Sequence, residues 1–162
     1  MKTNAGFTLI EVLIAMVVLA VGLLGLAALQ TTSLKNNQSA YFRSQATQLA
    51  YDITDRMRTN KLGVAAGNYN LGSAGARDCA LNTCTTAQMA AYDIAEWNAA
   101  LAAQLPSGEG VVCLDNTPDA PPGISKAGHA CDNSGKAYVV KIWWDDNRSG
   151  SLSQRFAMSF QL

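Results

Sequence analysis

The chain has 162 residues, of which 15% are charged and 49% hydrophobic, and its twelve basic side chains balance twelve acidic ones. That length leaves room for one modest globular domain and no second one. The even charge balance provides no cationic footprint for nucleic acid or an anionic surface, so nucleic-acid binding is not expected.

The apolar residues are concentrated near the N-terminus, between Phe7 and Leu29. From Val12 to Leu29 every residue is apolar or glycine. At about 1.5 Å per residue a helix over that run covers most of a hydrocarbon core roughly 30 Å thick, and with Phe7 to Glu11 added it spans. A secretory signal, a signal anchor and a buried core helix all begin from such a run. The core helix is disfavoured, because a domain this small has too little other apolar surface to surround a helix greasy on every side. A secretory signal finds only weak small-residue cleavage sites, at Ala20-Val21-Gly22 or Ala27-Ala28.

Glu11 separates these readings. A carboxylate inside an apolar span costs about 2.5 to 3.5 kcal/mol at the helix centre, and neither a signal peptide nor a plain anchor gains from it. The sensible partner is a cation in the same apolar layer. Cleavage after Gly6 creates one, an ammonium on Phe7, and a charge-assisted contact to Glu11 of a neighbouring helix neutralises both groups.

Gly6-Phe7-Thr8-Leu9-Ile10-Glu11 followed by an apolar helix resembles the processing site of type IV prepilins and type II secretion pseudopilins. The resemblance implies that a membrane prepilin peptidase cuts the leader, Met1 to Gly6, and that Phe7 is methylated. It also implies that Glu11 guides assembly. Lys2 in the leader then stays on the cytoplasmic side.

The helix continues past Leu29 as an amphipathic segment, with a stripe at Leu34, Phe42, Ala46, Leu49, Ile53 and Met57, mostly three or four residues apart. The stripe is expected to pack on a sheet, leaving Lys35, Arg43, Asp52, Asp55 and Arg56 to water, in one helix from Phe7 to about Arg58. Gly22 and Gly25 each lower its propensity by about 1 kcal/mol relative to alanine. Gly63 to Ala76, rich in glycine and asparagine, reads as a surface loop. Thr85-Thr86-Ala87-Gln88 has the form of a capping box, and Ala90, Ile94, Trp97, Leu101 and Leu105 recur at helical spacing up to Pro106, which predicts a second helix. The period then changes to two over Val111–Leu114, Ala137–Trp144 and Leu152–Leu162. The turn-rich run Asp145 to Gly150 joins the last two segments as an antiparallel hairpin whose one face covers the first helix. The expected fold is therefore α+β: a long N-terminal transmembrane-to-amphipathic helix packed on a small antiparallel sheet, with a second short helix. The expected organisation is a leader at 1–6, a transmembrane and assembly helix at 7–29, and a head at 30–162.

Cys79, Cys84, Cys113 and Cys131 form an even set in a membrane-targeted chain, which points to an oxidising compartment and two disulfides. Zinc competes poorly, since Cys79 and Cys84 are wider apart than the usual two-residue spacing and no second close pair follows. Of three pairings, Cys79 with Cys84 and Cys113 with Cys131 is favoured, because each closes a local loop, and each would contribute roughly 2 to 3 kcal/mol.

Cys79-Ala80-Leu81-Asn82-Thr83-Cys84-Thr85, Asp93, Trp97, Leu105-Pro106-Ser107-Gly108, Val112-Cys113 and Ile142-Trp143-Trp144-Asp145 resemble the PilV-type minor pilins, often labelled type IV pilus modification proteins. Residues 115–135 carry no part of that resemblance. It implies a low-abundance subunit that joins other minor and major pilins, primes pilus assembly, and supports twitching motility and adhesion. Its location would be the inner membrane before assembly and the extracellular pilus after it, with the head in the periplasm. A type II secretion pseudopilin and an exported adhesin with a conventional signal are the alternatives. No cofactor or metal is expected, and no enzymatic role: serine elbow, phosphate loop, dinucleotide fingerprint and histidine pair are all missing from the sequence. His129, the only histidine, reads as a solvated loop residue. Asp145 and Asp146 read as a solvated turn. Trp143 and Trp144 point to opposite faces of a strand, one into the core and the other available to a partner subunit or a glycan.

Overall fold

The computed structural model describes residue 6 and residues 8–75, 77–117 and 123–161. These fall into two compact units, Met1–Ala40 and Tyr41–Leu162. Helix α1 runs from Leu9 to Thr59, and its apolar first half lies in the first unit. Leu34, expected in the packed stripe, lies there too and is 67% exposed, because burial on α1 begins only at Phe42. Thr31 and Thr32, where the sequence turns polar, return their hydroxyl protons to the Ala28 carbonyl at 2.8 and 3.1 Å, so the transition costs the helix no unsatisfied donor.

The second unit is built on the rest of α1, the short helix α2 (Lys61–Ala65), α3 (Thr86–Gln104), and a sheet of β1 (Glu109–Leu114), β2 (Tyr138–Trp144) and β3 (Gln154–Phe160). The sheet order is β1-β2-β3, antiparallel throughout, with Val112 opposite Val140 and Val140 opposite Met158. Phe42, Ala46, Leu49, Ala50, Ile53 and Met57 of α1 share one core with Ala90, Ile94, Trp97 and Leu101 of α3 and with Tyr138, Val140, Ile142 and Trp144 of β2. The two alanines are fully buried, so α1 can approach its neighbours closely. The indole of Trp97 donates to the Leu49 carbonyl at 2.9 Å.

The capping box forms as its residues predict: Thr85 accepts from the Gln88 amide at 3.2 Å, and the Gln88 side chain accepts from the Thr85 amide at 3.0 Å. The segment read as a surface loop is instead tied into the fold. It contributes α2, whose cap is Asn60, and then Tyr69, which is fully buried. Its next residues blunt one edge of the sheet, with the Leu71 amide donating to the Val112 carbonyl at 2.9 Å and Asn70 accepting from the Leu114 amide at 2.8 Å. Ala76 lies outside the described residues, as does Leu162 at the end of the third strand.

β2 departs from simple alternation, being buried at all seven positions. Tyr138, Val140, Ile142 and Trp144 face the helices, and on the other face Lys141 and Trp143 are covered by Asp115, Gly123, His129 and Ala130. Trp143 is therefore not a free surface contact. It is 2% exposed and its indole donates to the Gly123 carbonyl at 2.8 Å, while Trp144 on the other face is 1% exposed. Asp145 is likewise buried rather than solvated. Its amide donates to the Pro106 carbonyl and its carboxylate accepts the Gly150 amide at 2.6 Å, closing the β2–β3 turn.

Candidate functional site: the N-terminal motif and the polar supports of the second unit

Glu11 sits in the first turn of α1, where the positive end of the helix dipole favours an anion, and its amide donates to the Thr8 carbonyl at 3.1 Å. It is the only charged residue between Leu9 and Leu34. Around it Leu9, Ile10, Val12, Leu13 and Ile14 are all exposed. α1 is the one described helix apolar and long enough to cross a membrane, with a mean hydropathy of 2.9 over its best window and none of that window buried. Gly6 is exposed with open space around it. Phe7, the leader residues Met1 to Ala5 and with them Lys2 lie outside the described residues. In the first unit the structure therefore presents an apolar helical surface carrying one carboxylate.

The four cysteines form two bonds, Cys79–Cys84 and Cys113–Cys131. The second joins β1 to the covering segment and stands beside a buried ion pair. The Lys141 ammonium, wholly buried on β2, meets Asp115 Oδ2 at 2.5 Å and the carbonyls of His129 and Ala130 at 3.0 and 3.1 Å. Three acceptors thus satisfy its three protons. His129 is part of this cover rather than a solvated loop residue, since its Nδ1 accepts the Cys131 amide at 3.0 Å. Cys113, Asp115 and Cys131 have ligand atoms close enough together to hold a metal ion. Their sulfurs are spent on each other and the carboxylate on Lys141, so the donor set does not suit one.

A second buried polar group lies among α1, α2 and α3. The Tyr69 hydroxyl donates to Asp93 at 2.5 Å and accepts from the Asn60 amide nitrogen at 3.1 Å. That same nitrogen donates to the Thr86 carbonyl, and Asn60 Oδ1 caps α2. Arg56 bridges Asp52 at 3.1 Å and Asp93 at 3.7 Å, so Arg56 and Asp52, expected in water, are half-buried. Burial raises the Asp93 carboxyl above the usual carboxylate range, although the Tyr69 hydroxyl and Arg56 pull it back. Burial, reinforced by the Asp93 acceptor, also raises Tyr69 far above an ordinary phenol. Burial opposes ionisation of Asp145, but the donors of Gly150, Ser149 and Asn147 outweigh it and hold that carboxyl low.

Reading the residues one at a time missed Tyr69, Asn60, Asp115 and Lys141. One signal was available: a lysine inside the apolar strand Tyr138–Trp144 needs a buried acceptor, and Asp115 in the unassigned stretch is that acceptor.

Residues 1–27 match the family described as the prokaryotic N-terminal methylation motif, and residues 28–95 match the family described as type IV pilin Tt1218. The two matches together, over residues 1–95, support a type IV prepilin family. No curated protein and no solved structure matches the chain significantly. The α+β arrangement of a long N-terminal helix with a three-stranded antiparallel sheet is pilin-like, and the exposed apolar helix fits membrane anchoring.

Proposed function

We propose that the chain is a minor subunit of a type IV pilus, of the PilV-type group, made as a prepilin and cut after Gly6. The observation that carries this reading is the match of residues 1–27 to the methylation motif, with Glu11 as the lone charge in an otherwise apolar exposed helix. In this account residues 1–6 are the leader, 7–29 the membrane and assembly segment, and 30–162 a periplasmic head.

Cleavage by prepilin peptidase leaves an ammonium on Phe7, and methylation keeps that charge while removing a proton donor. In the bilayer Glu11 remains costly until a cation joins it in the apolar layer. The Phe7 ammonium of one subunit and Glu11 of its neighbour supply each other's counter-charge, and only one axial stagger brings them together. The apolar faces of 9–29 then exchange lipid for neighbouring pilin helices, and the subunit passes from inner membrane to fibre. Its partners are other minor and major pilins, and its contribution is to assembly, twitching motility and adhesion. The test is fibre incorporation of Glu11→Ala and Glu11→Gln in the native host. Both variants are expected to be cleaved normally and to fall out of the sheared-fibre fraction. Normal incorporation would overturn the pairing.

A further inference from the structure

At the end of α1 the second unit opens a cleft of about 800 Å³, lined by Val64, Ala65 and Gln161 above the wholly buried Met57 and flanked by Arg58 and Lys61. Arg58 is held by Asp55 at 2.8 Å, whereas the Lys61 ammonium has no acceptor among the described residues. Leu62, next along α2, is 73% exposed. An occupant matching this surface brings an apolar side chain for the cleft and a carboxylate for Lys61.

The same unit displays that combination elsewhere. Leu81 stands 84% exposed at the tip of the turn closed by Cys79–Cys84. Asp78 Oδ1 accepts the amides of Ala80 and Leu81 at 2.9 and 3.3 Å, the Asn82 side chain donates to the Asp78 carbonyl, and Arg77 donates to the Thr83 carbonyl. The turn is thus ordered before any partner arrives, so little further entropy is lost on docking. Asp78 Oδ2 has no partner among the described residues and is free to meet a cation.

We propose that this cleft receives the Cys79–Cys84 turn of a second copy of the chain, with Leu81 seated on Val64 and Ala65 and Asp78 facing Lys61. The contact joins two different patches, so it is head-to-tail rather than two-fold. It rests on the pilus-subunit reading and names a surface by which that subunit meets a neighbour.

The test uses the full chain in its native host, with two differently tagged copies and a photo-crosslinking phenylalanine analogue in place of Leu62. Irradiation of membrane and sheared-fibre fractions is expected to join the two tags, with the linked peptide mapping to residues 77–84. Leu81→Glu should lower that yield by roughly tenfold or more, as expected for losing one buried leucine. Asp78→Asn, which keeps the acceptor the turn needs, and Lys61→Glu should each lower it several-fold. No adduct, an adduct to a different protein, a homotypic adduct mapping elsewhere, or one indifferent to Leu81→Glu would overturn the proposal. Fibre incorporation and the mature N-terminus, read in the same samples, report on the pilus reading separately.

Discussion

Lys141 is the residue on which the second face of the sheet depends. With Asp115 and two carbonyls around it the ammonium is fully satisfied, and removing either partner strands a buried charge. Asp115→Ala should therefore cost about 3 to 5 kcal/mol, while the double change Lys141→Met with Asp115→Leu should be close to neutral. Urea unfolding of the detergent-solubilised chain, followed by tryptophan fluorescence, measures both. Tyr69 makes a prediction in pH. Its folded-state value is raised, so the folded state resists ionisation and stability falls as pH rises above the ordinary phenol value of about 10. Tyr69→Phe should cost about 1 to 3 kcal/mol at neutral pH by leaving Asp93 and Asn60 short of a partner. It should also reduce the alkaline loss without abolishing it, because burial raises Tyr138 as well. Asp145 acts at the other end: its depressed value contributes stability present above the ordinary carboxylate range and lost as pH falls through the folded value. At this scale the sequence was least legible. Asp93, Tyr69 and Lys141 are polar residues whose burial is decided by partners 24 and 26 positions away, beyond any local period.

Elements were legible where a local rule governs them. α3 begins where the capping box says it does, and Thr85→Ala should destabilise by about 1 kcal/mol, read as a lower urea midpoint at unchanged slope. Its inner face depends on Gly110, where an added Cβ would stand 2.5 Å from the Trp97 ring; Gly110→Ala should cost about 1 to 3 kcal/mol. The two disulfides differ in reach, with separations of 5 and 18 residues. Replacing both cysteines of Cys113–Cys131 by serine should cost about 3 kcal/mol, and those of Cys79–Cys84 about 2 kcal/mol, because the entropy released to the unfolded chain grows with the closed loop. The segment from 63 to 76 was misread because its anchors are single contacts from Tyr69, Asn70 and Leu71, which leave no periodic trace. β2 was half read: its helix-facing residues follow the period, but nothing in its alternation announces that Asp115, Gly123, His129 and Ala130 cover the other face.

For the whole molecule, the first 29 residues carry the functional argument, and from Leu9 onward sequence and structure coincide there. An uninterrupted apolar helix with one carboxylate in its first turn is as plain in the residues as in the fold. The second unit, by contrast, is specified through long-range pairs: a disulfide, an ion pair and a tyrosine–aspartate bond hold the segments between its helices and strands. That division fits a subunit whose helix serves for insertion and assembly while its head presents surface to neighbours. The measurement that bears most directly on this account is the mass of the mature N-terminus, taken from membrane and sheared-fibre fractions of the native host. A chain beginning at Phe7 and carrying one methyl group is the predicted result. A start near residue 29, or an intact Met1 in every fraction, would contradict it, leaving Glu11 without a role in assembly.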